Sequence, residues 1–137
     1  MGLAEFLALA RRDRWLLVSA MVLVLLARIL LRATGVDRTR WAVTGVARRL
    51  PPWNPLEESE RVSWAVNTAS NVAPVSTPCL VEAIAAQAMF ERYDIDSMLR
   101  LGVAGGESFR AHAWVEQDGE VVVGGHPDLE AFEPLER

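Results

Sequence analysis

The 137 residues carry 18 acidic and 14 basic side chains, and with 51% apolar and 23% charged residues they suit one folded domain rather than a disordered chain. A single cysteine excludes an internal disulfide, and one cysteine with two histidines at no ligand-like spacing argues against a closed metal site, so neither metal nor cofactor is expected. The net charge of −4 is uneven: residues 1–50 sum to +6 and residues 51–137 to −10, yet the basic half lacks the aromatic interleaving of a nucleic-acid binder and suits a membrane surface or an acidic partner better.

The first strong feature is "WLLVSAMVLVLLARILL", Trp15 to Leu31, whose uninterrupted apolar part ends at Ala27. It is short for a membrane span unless Arg28 is included, and no small-residue cleavage pattern follows it as in a signal peptide. A helix buried against the domain and a helix inserted in or lying on a membrane both fit. The reading is therefore a cytoplasmic protein, with peripheral membrane contact through residues 15–31 left open. "LPPWNPLEESE" then forms a proline-rich linker, because each proline removes a backbone donor. It separates an N-terminal helical region, residues 1–55, from a core domain, residues 56–137.

In the core, a helix is expected from about Leu56 or Glu57, with Val62, Ala65, Val66 and Ala69 at helical spacing. "APVSTP" interrupts it. Another helix follows from about Pro78 to Arg92, with Leu80, Ala83, Ile84, Met89 and Phe90 on an apolar face. Beyond Tyr93 the period changes. "SMLRLGVAGG" predicts a short strand, and "FRAHAWVEQDGEVVVGG" predicts a hairpin whose Asp118-Gly119 pair favours a tight primed turn. Helices followed by an antiparallel sheet indicate an α+β fold.

The chemistry-bearing candidates lie on these last elements. With Thr77 as N-cap and Pro78 at the first helical position, Cys79 would occupy the second, its sulfur near unpaired backbone donors and the positive end of the helix dipole. That setting stabilises a thiolate, and the same donors could stabilise an oxyanion. A small packed apolar residue is the competing reading of a free cysteine. A cysteine nucleophile needs a base. His112 shares a strand face with Trp114 and Glu116, opposite Ala111, Ala113 and Val115, whereas His126 sits among turn residues. An acid should orient the imidazole. Asp118 has a conformational role in the turn, Glu116 and Glu120 read as solvated strand residues, and Asp128 is the favoured orienting acid.

The combination of "TPCLVEAIAAQAMF", the strand "LRLGV", "FRAHAWVEQDGEVVVGG" and a closing "FEPL" resembles the transglutaminase-like leader peptidases of lasso peptide biosynthesis, the microcin-processing B proteins. The match spans roughly Val62 to Leu135, and "AHAWVE" is its most specific part. The resemblance implies a transglutaminase-like (papain-like) core in which the helix bearing the cysteine packs on a small antiparallel sheet. It also implies a catalytic triad of Cys79 as nucleophile, His112 as general base and Asp128 as third member. The family pattern expects an acid soon after the second hairpin strand, where this chain has Gly124 and Gly125, with Asp128 the nearest acid. The implied activity is a cysteine peptidase that removes the leader from a ribosomal precursor peptide. Its implied partners are a separate PqqD-like leader-binding protein, since the chain is too short to include that domain, and an ATP-dependent lasso macrocyclase. The rival readings are an acyl transferase or amidase using the same site, and a non-enzymatic membrane-associated adaptor.

Overall fold

The computed structural model describes residues 2–50, 59–73, 78–104, 110–124 and 133–135. Five helices precede four strands: α1 (Leu3–Ala8), α2 (Arg11–Thr34), α3 (Val36–Arg49), α4 (Ser59–Val72), α5 (Cys79–Arg92), β1 (Met98–Ala104), β2 (Arg110–Gln117), β3 (Glu120–Val123) and β4 (Glu133–Leu135). The fold is α+β, as the order of periodicities predicts.

The apolar segment of residues 15–31 lies within α2. By length and composition alone this helix could cross a membrane. One of its faces is nevertheless inside the protein: Leu16, Ala20, Leu23, Val24 and Ala27 are buried at helical spacing. Helix α2 packs on α3, α4 and α5. The other face leaves Val18, Val22 and Ile29 exposed. Gly35, at a positive φ of 91°, ends α2 and starts α3. Its carbonyl accepts a bond from the Thr39 hydroxyl at 2.6 Å, which satisfies the fully buried Thr39. The linker prolines and the predicted start at Leu56 or Glu57 lie outside the described residues; α4 is described from Ser59.

Helix α5 is the centre of the molecule. Eight of its 14 residues are buried, including Val81, Ile84, Met89 and Phe90, and it contacts α2, α3, α4 and the sheet. Four of the eight are alanines, whose small side chains let neighbours approach closely on several sides. Polar side chains tie its outer surface to α3. The Arg40 Nη2 donates to the Gln87 Oε1 at 2.8 Å, Arg48 pairs with Glu91, and the Arg92 Nε donates to the Leu50 carbonyl at 2.7 Å. On the far side, Arg61 of α4 pairs with Asp13 of α2 while its guanidinium lies over the Trp64 ring.

The strands form one antiparallel sheet in the order β3-β2-β1-β4. Asp118 and Gly119 both have positive φ, 52° and 82°, and join Gln117 to its partner Glu120, the backbone signature of the primed turn their sequence predicts. In β2, Ala113 and Val115 are buried in the common core with Val123 of β3. Truncating the fully buried Phe90 to alanine should lower unfolding free energy by about 3–5 kcal/mol. Urea denaturation checks this: the midpoint should fall with an unchanged slope.

Candidate functional site

The first turn of α5 and the start of the β2–β3 hairpin hold two of the three sequence-predicted site residues, Cys79 and His112. Pro78, with extended backbone at φ −57° and ψ 155°, is the N-cap, and its carbonyl accepts the Glu82 amide at 3.2 Å. Cys79 is therefore the first helical residue rather than the second. The pre-formed φ of proline suits the cap as well as the first helical position, which moves the boundary by one residue. Thr77, the expected cap, lies outside the described residues, and Pro78 makes no side-chain cap bond. The chemical setting survives the shift. An α-helix leaves its first amides without partners in the helix, so the half-buried Cys79 belongs to the turn that carries such donors and the positive dipole end.

His112 lies on β2 opposite Gly102 of β1. Its ring stacks on Trp114, with centroids 6.0 Å apart and planes 18° from parallel. The Trp114 indole donates to Glu116 at 2.6 Å, and Glu116 faces Arg100 of β1 at 3.6 Å. The predicted shared face of His112, Trp114 and Glu116 is thus present. Glu116, however, is a half-buried member of that row instead of a solvated strand residue, because Trp114 beside it needs a partner for its N–H. Glu120 is exposed, as expected.

One hydrogen-bond partner of the imidazole is a backbone atom. His112 Nε2 lies 2.5 Å from the carbonyl oxygen of Gly124, just past β3. A carbonyl only accepts, so Nε2 carries the hydrogen, and in the neutral ring the lone pair is on Nδ1. Gly124 is essential to this approach. Its φ is +83°, and a Cβ there would lie 2.9 Å from the Ala113 carbonyl oxygen and 3.1 Å from the Trp114 Cα. Asp128 and His126 fall outside the described residues.

Three residues not singled out by sequence reasoning join this site. Glu82 lies three residues after Cys79, one helical turn away and on the same side of α5. Its carboxyl is half-buried where α5 packs on α4 and β2, in the neighbourhood of Ser70 and His112. Burial raises its pKa above the ordinary carboxylate value, outweighing Ser70 and His112, which both act to lower it. The third is Gly124. The i, i+3 spacing from Cys79 was the available signal for Glu82, whereas Ser70 and Gly124 reach the site only through tertiary packing. Among the described residues no group of three His, Cys, Asp or Glu side chains could hold a metal ion.

Two measurements probe this arrangement. Gly124→Ala should destabilise the fold by about 1–3 kcal/mol, since it adds both a left-handed alanine and a backbone clash; chemical denaturation reads it. For Glu82→Gln the sign follows from the raised pKa. The folded state favours the protonated carboxyl, so its contribution is present below the ordinary carboxylate range and is lost as pH rises through the raised value. Glutamine avoids that loss. The variant should match or exceed the wild type in stability at neutral pH, and the difference should vanish in acid, as thermal melts across pH will show.

Comparison with known proteins agrees with this architecture. Residues 21–137 match the family described as the transglutaminase-like superfamily, and the chain belongs to it. No curated protein and no solved structure matches the chain. The superfamily typically comprises cysteine-dependent hydrolases or transferases, so the chain is of that coarse enzymatic kind.

Proposed function

We propose that this member of the transglutaminase-like superfamily is a cysteine peptidase that cuts the bond between leader and core in a ribosomally made lasso peptide precursor. The observation that carries the reading is the chain's sole cysteine, standing first in the central helix of a superfamily that works through cysteine. The "AHAWVE" strand, with its histidine held at Nε2, supports it. The finer assignment to leader removal rests on the resemblance of these same segments to the lasso leader peptidases.

In this mechanism the Cys79 thiolate attacks the scissile carbonyl carbon, and the unpaired amides at the start of α5 receive the developing oxyanion. With Nε2–H engaged by Gly124, Nδ1 of His112 is the nitrogen that takes the thiol proton. It then gives that proton to the departing core amine as the tetrahedral intermediate collapses to a thioester on Cys79. Water, deprotonated by the same imidazole, attacks the thioester; leader acid leaves and the thiol is restored. Asp128 remains the candidate acid of a triad. Recognition of the leader is assigned to a separate PqqD-like protein, and ring closure on the freed core amine to an ATP-dependent macrocyclase. The setting is cytoplasmic, with the exposed face of α2 available for peripheral membrane contact.

Mass spectrometry of a precursor incubated with its PqqD-like partner and the enzyme tests the proposal. Free leader acid and free core should appear with the wild-type chain. Cys79→Ala should abolish them, and His112→Ala should slow their release by about 100-fold or more without loss of folding. An amine-linked leader in place of leader acid would identify the acyl-transferase alternative, and wild-type rates in either variant would remove the nucleophile and base assignment.

A further inference from the structure

The exposed apolar side chains are unevenly spread. Leu3 of α1, Val18 of α2 and Val72 of α4 are all exposed, and all three line one cleft of about 410 Å³ with Phe6 and Met21. Leu7 and Val22, each four residues on from a cleft residue, carry the same surface along their helices. Ile29, 66% exposed, stands three turns beyond Val18 on that face of α2. Single exposed apolar residues are ordinary, whereas a contiguous patch marks an interaction site.

The charges framing the patch point to its occupant. Arg14 and Arg11 precede Val18 by one and two turns on the same face of α2, and Arg32 follows Ile29 by one turn. The acids of α1 and α2 do not offset them: Asp13 is paired with Arg61, and Glu5 lies two residues from both Leu3 and Leu7, on the opposite side of α1. Pairing with a second copy would set arginine against arginine in either direction. Arg11 and Arg14 would meet their counterparts in a parallel pair and Arg32 in an antiparallel one. A bilayer bearing anionic headgroups satisfies the arginines and the apolar side chains together. The helix lies on that surface instead of crossing it, because its other face is held in the core by α3, α4 and α5.

We infer that the outer face of α1 and α2, with Val72 of α4, is a seat on an anionic lipid bilayer. Leu3, Leu7, Val18, Val22 and Ile29 enter the headgroup boundary, and Arg11, Arg14 and Arg32 meet lipid phosphates. The seat deepens the peripheral membrane contact of the proposed function and rests on that reading; the peptidase chemistry neither supports nor needs it.

Co-sedimentation of the full chain with extruded vesicles tests this seat. Binding should be strong on phosphatidylcholine vesicles containing about one-third phosphatidylglycerol, weaker by about tenfold or more on pure phosphatidylcholine, and reduced by salt. Arg11→Gln with Arg32→Gln should lower anionic-vesicle binding by about 10- to 30-fold. Val18→Gln with Val22→Gln should lower binding to both vesicles by about tenfold. Leu3→Gln with Leu7→Gln should act alike, and serves if the α2 variant does not fold. Trp41→Gln should change nothing: at 82% exposure it is the most exposed large apolar side chain described, but it lies on α3 beside a different cleft. No sedimentation with either vesicle would overturn both the seat and the membrane contact it rests on. Equal binding to the two vesicles, or binding unmoved in folded α1 and α2 variants, would overturn the seat alone. A dimer in light scattering that Val18→Gln with Val22→Gln disperses would also overturn it, naming a second copy as the occupant. Labelled polyglutamate bound at this face more tightly than anionic vesicles would do the same, naming an acidic protein segment.

Discussion

The burial of α5 is the constraint on which the other elements depend. A helix with apolar residues on nearly every side cannot be satisfied by one neighbour. It requires α2, α3, α4 and the sheet together, and each of them in turn hides its own apolar face against it. Its alanines set how near those neighbours come. The consequence reaches the chemistry directly: a helix clamped along its length has a fixed first turn, and that turn begins with Cys79. A thiol on a fraying helix end would lose its relation to the amides around it. Here the packing of Phe90, Met89 and Ile84 farther along the same helix keeps it in place.

The histidine is placed by a different means. The tight turn at Asp118-Gly119 fixes the pairing of β2 with β3, and a register irregularity between Val115 and Glu116 follows. Past β3 the chain crosses β2 so closely at Gly124 that no side chain fits there. That approach delivers a carbonyl to His112 Nε2. A backbone acceptor holds the ring as firmly as a side chain would, without adding a charge.

Much of this was legible from residue order. The periodicity of Val62, Ala65, Val66 and Ala69, the turn pair Asp118-Gly119, the alternation around His112 and the helix starting beside Cys79 are local patterns, and each corresponds to an observed element. What escaped is tertiary. Helix α3 has few large apolar residues, with Thr39, Val43 and Ala47 as its buried residues, two of them small or polar, so composition gave little sign of it. Whether the apolar stretch in α2 packs inward could not be read from its hydropathy, because a core helix and a membrane helix share that composition. The row of Glu116, Trp114 and Arg100 needs the β1–β2 register to exist at all. Asp128 lies beyond the described residues, so the resemblance still carries that assignment alone.

Glu82 shows how local and tertiary rules diverge at a reactive site. By local rules, an acid in the first turn of a helix is a favourable placement, since the dipole and the free amides welcome negative charge. Packing reverses this: α4 and the sheet strip water from the carboxyl, and the loss of hydration outweighs both Ser70 and the attraction of His112. An apolar or amide side chain would serve the fold at least as well in that position.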